Sequence, residues 1–304
     1  MTMVLSQSVY ELAQATSAEG ASGLENMNLF RAIVVGIVQG LTEFLPISST
    51  AHVKVVPVVL GWGDPGVAFT AVIQLGSIAA ILWYFWDDLR QVTTGMVNAL
   101  RAGKYDSTDF RLGLGILLGT IPIVVCGLAV KVLIPDFDNS PIRNSSTIAI
   151  VSIVMALLLA GAEVVGQRQR SFDALTMKDG ITMGLAQALA LIPGVSRSGS
   201  TLTAGLFMGL ERSTAARFSF LLGIPAITLA GLVELKGLLD GGIGSVELIP
   251  LIGGLIAAVV SSYLAIFWLI RFLQQHSTWV FVWYRLAFGV AILLAIATGR
   301  MENL

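Results

Sequence analysis

Long uninterrupted apolar blocks constrain this chain more than any other feature. Phe69–Trp86, Leu112–Leu133, Thr147–Val165, Ala215–Leu235, Leu248–Ile270 and Trp279–Thr298 form about six such blocks. Each approaches the length a helix needs to cross a bilayer, about 20 residues. A soluble domain carries about 25% charged residues, whereas this chain carries 12%, with 55% hydrophobic residues and a mean hydropathy of +0.83. The solvent to be satisfied is therefore lipid, and the expected class is an all-α integral membrane protein. Trp83, Trp86, Trp268, Trp279 and Trp283 fall near block ends, where interfacial aromatic belts form.

Two further apolar stretches are broken. Leu29–Leu60 is interrupted at Pro46-Ile-Ser-Ser-Thr50, and Ile181–Leu210 at Pro193-Gly-Val-Ser-Arg-Ser-Gly-Ser-Thr201. The free backbone groups of a polar break cannot face lipid, but they can line a wet cavity. Both stretches are expected to be re-entrant helix–loop–helix hairpins. They also resemble each other: Gly36-Ile-Val-Gln39-Gly-Leu41 aligns with Gly184-Leu-Ala-Gln187-Ala-Leu189, and the same offset brings Ser48 to Ser196. With one gap, Pro46 meets Pro193 and Gly76 meets Gly223. Three spans between the hairpins put them on opposite membrane faces, as in inverted-topology repeats with a shared midplane site. The expected layout is one membrane domain over 29–298, with repeats at about 29–165 and 181–298 and a short tail over 299–304.

Net charge is −1, so nothing in the overall charge favours nucleic acid. The single cysteine, Cys126, excludes an intrachain disulfide and CxxC chemistry, and reads as a small core residue. Residues 1–28 are polar and contain no Lys or Arg, unlike a signal peptide with its basic start. They are expected to be a flexible or interfacial extension with a short helix around Val9–Ala15. Arg90, Arg101, Lys104, Arg111, Arg168, Arg170, Lys178, Arg212, Arg217 and Arg271 fall in one set of loops; the opposite set holds Arg31, Lys54, Lys131, Arg143, Lys236 and Arg300. The positive-inside bias assigns the first set to the cytoplasm and both termini to the outside.

Polar groups inside apolar segments are costly and mark function. Gln39 and Glu43 are four apart and share a helix face, which leads to Ser48, Ser49, Thr50 and His52. A polar seam gluing helices together is the plainer alternative. In the second break, two glycines allow close backbone approach, and four hydroxyls offer donors. The following helix, expected to begin near Ser200 and Thr201, presents N–H groups to an anion, and Arg197 supplies a planar fork matched to phosphate. Its alternative is an arginine snorkelling to the interface. Glu163, Glu234 and Arg285 stand near span ends or singly, outside this pattern.

Along Gln39-Gly-Leu-Thr-Glu43-Phe-Leu-Pro-Ile-Ser48-Ser49-Thr50-Ala-His52 and Pro193-Gly-Val-Ser196-Arg197-Ser198-Gly-Ser-Thr201, the chain resembles the undecaprenyl-diphosphate phosphatase family of the bacitracin-resistance type. That family's Glu/Gln-x-x-x-Glu and Pro-Gly-x-Ser-Arg-Ser-x-x-Thr motifs are both matched in order. Ile73-Gln-Leu-Gly-Ser77 and Phe218-Ser-Phe-Leu-Leu222 also look like family segments, and the likeness runs over roughly 29–298. Gln39 leaves one carboxylate in the first motif, and Ala51 stands where many members have Gly. The resemblance implies a membrane phosphatase that hydrolyses undecaprenyl diphosphate to undecaprenyl phosphate and inorganic phosphate, recycling the lipid carrier of cell-wall synthesis. It implies a divalent cation, Mg or Ca, with Gln39 and Glu43 as expected ligands.

The expected catalytic residues are Glu43, Ser49, His52 and Arg197, and the expected substrate-binding residues Gln39, Ser48, Thr50, Ser196, Ser198 and Thr201. The nucleophile stays open among Ser49, His52 and water; the preferred reading has Ser49 attack with help from His52. The competing class is a secondary transporter or flippase for a lipid phosphate, since broken helices at the midplane suit transport too. The acid-phosphatase-like lipid phosphatases are excluded because the other histidine, His276, lacks their spacing. A homodimer is compatible with all of this.

Overall fold

The computed structural model describes residues 27–63, 65–134, 140–241, 248–301 and 303. The expected helix near Val9–Ala15 lies outside the described residues. Among them every named element is helical and none is a strand. The first hairpin is α1 (Leu29–Phe44) and α2 (Ser49–Val59). Then come α3 (Val67–Tyr84), α4 (Trp86–Ala102), α5 (Thr108–Leu133) and α6 (Ser145–Val165). The second hairpin is α7 (Met177–Ala188) and α8 (Arg197–Phe207), followed by α9 (Arg212–Gly241), α10 (Leu248–Gln275) and α11 (Trp279–Ala297).

Five helices, α5, α6, α9, α10 and α11, are long and apolar enough to cross a bilayer; the bent pair α3–α4 makes a sixth if counted as one span. Leu117, Ile121, Val125, Leu128 and Val132 on α5 are each more than half exposed. Their spacing of four, four, three and four draws one helical stripe, which water would penalise and lipid accepts. Cys126 is exposed on the same helix. The core placement expected for it is therefore corrected: α5 is buried mainly along its first half, and Cys126 lies beyond that.

The span expected to run to Trp86 stops at Tyr84. The chain bends by 66° there, and the polar segment that follows is a helix, α4. Asp87 and Asp88 occupy its first turn, and Gly103 ends it in the left-handed conformation, the charge and terminator a helix favours. Phe85, between the two helices, is buried and packs at a tilt against Phe220.

The two halves exchange partners. α1 lies along α10, α7 lies along α5, and α6 packs against α11. The first two contacts are seams of small residues: a Cβ on Gly36 would overlap the Gly254 carbonyl oxygen, and one on Gly184 the Gly119 carbonyl oxygen. Without water to drive association, membrane helices gain from such close packing. Each hairpin is thus held by a helix of the other half, which carries both breaks to a common centre. Away from that centre, buried Glu163 ties α6 to the starts of α9 and α11 through Arg212 and the Thr278 hydroxyl, the latter at 2.7 Å. Glu163 therefore has a structural partner set of its own.

Candidate active site where the two hairpins meet

Both breaks turn on a serine with positive φ: Ser48 at 77° and Ser196 at 70°. L-residues avoid this region, and such strain is kept where surrounding contacts impose it. After each turn a helix begins at once, so the polar breaks are shorter than expected. α2 starts at Ser49 and α8 at Arg197. Ser49, Thr50 and His52 are therefore helical, and α8 begins three residues before Ser200. The reason is local: the Ser196 hydroxyl accepts the Gly199 N–H at 3.2 Å, capping the helix early. Ser198 Oγ then donates to the Leu45 carbonyl at 3.0 Å, joining one hairpin to the other.

Glu43 sits at this junction, 8% exposed. Its Oε2 accepts the Ser49 hydroxyl at 2.7 Å and the Gln39 amide at 3.2 Å. Its Oε1 lies 3.6 Å from Arg197 Nη2 across the hairpin boundary. Gln39 also donates to Gln74 Oε1 of α3 at 2.6 Å. One carboxylate thus gathers a hydroxyl, an amide and a guanidinium.

Arg197 is incompletely satisfied. Its Nη1 reaches only the Ser219 carbonyl, at 3.5 Å, and buried Nε and Nη2 have no hydrogen-bond partner. Buried donors without partners are rare and call for an explanation; here Nη2 is held only by the 3.6 Å ion pair with Glu43, and Nε is unengaged. Space for the guanidinium comes from Gly223 on α9, where a Cβ would overlap it.

The other expected residues divide. The Ser200 and Thr201 hydroxyls donate to the Arg197 carbonyl at 3.0 and 2.8 Å. With Ser198, they hold α8 in place rather than offering free donors. Ser48 is buried without a side-chain cap, and Thr50 is exposed. His52 does not hydrogen-bond Ser49. Its Nδ1–H donates to the Ser48 carbonyl at 2.7 Å, and its Nε2 pairs with the Tyr284 hydroxyl at 2.6 Å. The ring stacks on Phe288 at 4.3 Å. With both ring nitrogens engaged, His52 is displaced by Glu43 as the group on Ser49.

The sequence reading gave Gln74, Gly223 and Arg285 no role at the site and did not single out Tyr284. Three of them carried a signal: Gln74 is a polar residue within an apolar block, Gly223 matches Gly76 in the repeat, and an arginine inside a membrane block is a functional candidate by default. The repeat is chemically unequal. Gln187, which pairs with Gln39 at the offset of 148, is buried with neither end of its amide bonded. At that offset Glu43 is matched by Leu191, since 191 − 43 = 148.

Among the described residues no group of three His, Cys, Asp or Glu side chains could hold a metal ion. Glu43 is the one carboxylate of the cluster, and Gln39 turns its amide nitrogen to both Glu43 and Gln74; a hard cation bound there would need its remaining ligands from amide oxygens, substrate phosphates and water.

Fold and site together define a polytopic helical membrane protein with two re-entrant hairpins converging on a buried carboxylate–hydroxyl–guanidinium cluster. The family model for the bacitracin resistance protein BacA matches residues 32–291, and the chain belongs to that family. It is 64% identical over 293 residues to an undecaprenyl-diphosphatase from a Nostoc species, covering 96% of this chain and 92% of the relative. An undecaprenyl-diphosphatase from a Synechocystis species is 66% identical over 90% of this chain and 84% of its own length. One from Trichodesmium erythraeum is 58% identical over 99% and 97%.

Proposed function

We propose that this protein hydrolyses undecaprenyl diphosphate to undecaprenyl phosphate and inorganic phosphate in the bacterial plasma membrane. The observation that carries the reading is the Ser49 hydroxyl on the Glu43 carboxylate, beside the under-bonded Arg197 guanidinium. The polyprenyl tail stays in lipid while the diphosphate enters between the hairpins. Arg197 and the first-turn N–H groups of α2 and α8 receive the terminal phosphoryl oxygens, as helix N-termini suit anions.

Ser49 Oγ attacks the terminal phosphorus as its proton passes to Glu43. The bond from phosphorus to the bridging oxygen breaks, and undecaprenyl phosphate leaves with that oxygen. Glu43 hands that proton to the departing bridging oxygen, and the freed carboxylate then takes a proton from the attacking water and returns it to Ser49 Oγ as phosphate leaves. Mg²⁺ or Ca²⁺, held by Glu43 and Gln39 together with diphosphate oxygens, would supply further charge neutralisation. The chemistry is chiefly positioning and electrostatics.

Purified protein in detergent, given a polyprenyl diphosphate, should release phosphate. A transporter built on the same hairpins would release none, because transport needs a membrane and hydrolysis does not. In the same assay Arg197→Lys should lose at least roughly tenfold, about 1.4 kcal/mol of barrier, since an ammonium lacks the fork. Gly223→Ala should lose a comparable amount with Arg197 still present, because the methyl takes the guanidinium's space. Near-wild-type turnover in both variants would remove Arg197 from the phosphate site.

The basic loops support termini outside the cytoplasm. In a Cys126→Ala background, a cysteine at Arg300 should label from outside intact spheroplasts and one at Lys104 should not; the reverse pattern overturns the orientation.

A further inference from the structure

Arg285 is a charged side chain that the phosphatase mechanism does not use, yet it is among the largest fully buried side chains of the described residues. It is 1% exposed, and among the described residues it has no carboxylate partner. A buried cation without a counter-ion is costly, so something must compensate. Four carbonyl oxygens do. Nη1 donates to Pro46 at 3.0 Å and to Val195 at 3.1 Å. Nη2 donates to Gly194 at 2.6 Å, and Nε to Ser152 of α6 at 3.2 Å.

Three of those carbonyls belong to the breaks themselves: Pro46 to the first hairpin, Gly194 and Val195 to the second. A break at membrane depth exposes carbonyls that no helical N–H takes up and lipid cannot solvate. One guanidinium satisfies them from both breaks at once. The strained serines lie directly beside its acceptors: Val195 precedes Ser196, and Pro46 is two residues before Ser48. The helix starts that follow deliver Ser49 and Arg197. Gly199 leaves room for the clamp, since a Cβ there would sit 2.9 Å from Arg285 Nη1.

We propose that Arg285 is the positioning residue of this site, a clamp that holds both hairpin turns in register so that Glu43 and Ser49 of one meet Arg197 of the other. It touches no reacting atom; it acts through the two turns. The inference rests on the phosphatase reading and deepens it.

The planar fork bonds carbonyls in three directions, and a lysine ammonium cannot reproduce that geometry. Detergent-purified Arg285→Lys, assayed on a polyprenyl diphosphate, should therefore show kcat at least roughly tenfold lower per folded molecule. Arg285→Ala should recover part of its kcat in millimolar guanidinium, while Glu43→Gln should not. Gly199→Ala keeps the arginine but crowds it, and should lower kcat severalfold even if Arg285→Lys does not fold.

A folded Arg285→Lys with kcat within about threefold of wild type overturns the clamp. So does wild-type kcat in Gly199→Ala, or activity that falls only as far as the folded fraction does in every variant. An inactive wild type would instead bring down the phosphatase reading itself, which keeps the two failures apart.

Discussion

Glu43→Gln should abolish phosphate release, with kcat falling roughly 10³-fold, within the range for loss of a general base. The side chain keeps its size but loses three roles together. It no longer takes the Ser49 proton at 2.7 Å, balances Arg197 at 3.6 Å, or offers a charged ligand to a divalent ion. Arg197 would be left without its counter-ion, which costs stability, about 3–5 kcal/mol for a buried pair. The thermal midpoint should drop while the protein stays folded at assay temperature.

The neighbouring change Gln39→Glu tests the cation. Gln39 Nε2 lies 3.2 Å from Glu43 Oε2, so a second carboxylate there would repel the first unless a positive ion sits between them. Activity should survive at millimolar Mg²⁺ or Ca²⁺ and fall more steeply than wild type as a chelator is added. Activity indifferent to chelator in both proteins would remove the metal role, and full activity in Glu43→Gln would remove the catalytic one.

Ser49→Ala should cost about as much, roughly 10³-fold, because it deletes the nucleophile itself. Brief reaction with substrate labelled in the terminal phosphate should transfer label to wild-type protein and none to Ser49→Ala. If Ser49→Ala keeps more than about a tenth of wild-type kcat, water attacks directly with Glu43 as its base. His52→Ala should be milder, since His52 has no bond to Ser49: it stabilises the turn through the Ser48 carbonyl and ties it to Tyr284. A His52 loss equal to that of Ser49 would return the imidazole to the proton transfer.

Much of the architecture was legible in the order of residues because lipid imposes one-dimensional rules. A helix crossing hydrocarbon must be apolar for about 20 residues, and a polar break must be sheltered by protein or a cavity. Apolar length alone therefore located α5, α6, α9, α10 and α11, and the two breaks located the hairpins. Motif spacing also brought forward Gln39, Glu43, Ser49 and Arg197, which the fold does gather. The bend at Phe85 was not legible, because α3 and α4 meet without a proline, glycine or polar gap.

What only the tertiary structure decided is which group faces which. Ser49 and His52 are three apart on one helix, so sequence spacing favoured them as a pair. Ser49 instead reaches back to Glu43 at the end of α1, while His52 turns to Tyr284 of α11, 232 positions away. Arg285 could be seen as an isolated arginine, but its four acceptors come from segments 90 to 239 positions distant. Hydropathy reports whether a residue tolerates lipid, and it determined the spans and the breaks. It carries no record of long-range partners, so the pairing of the two hairpins through Glu43, Arg197 and Arg285 came from packing alone.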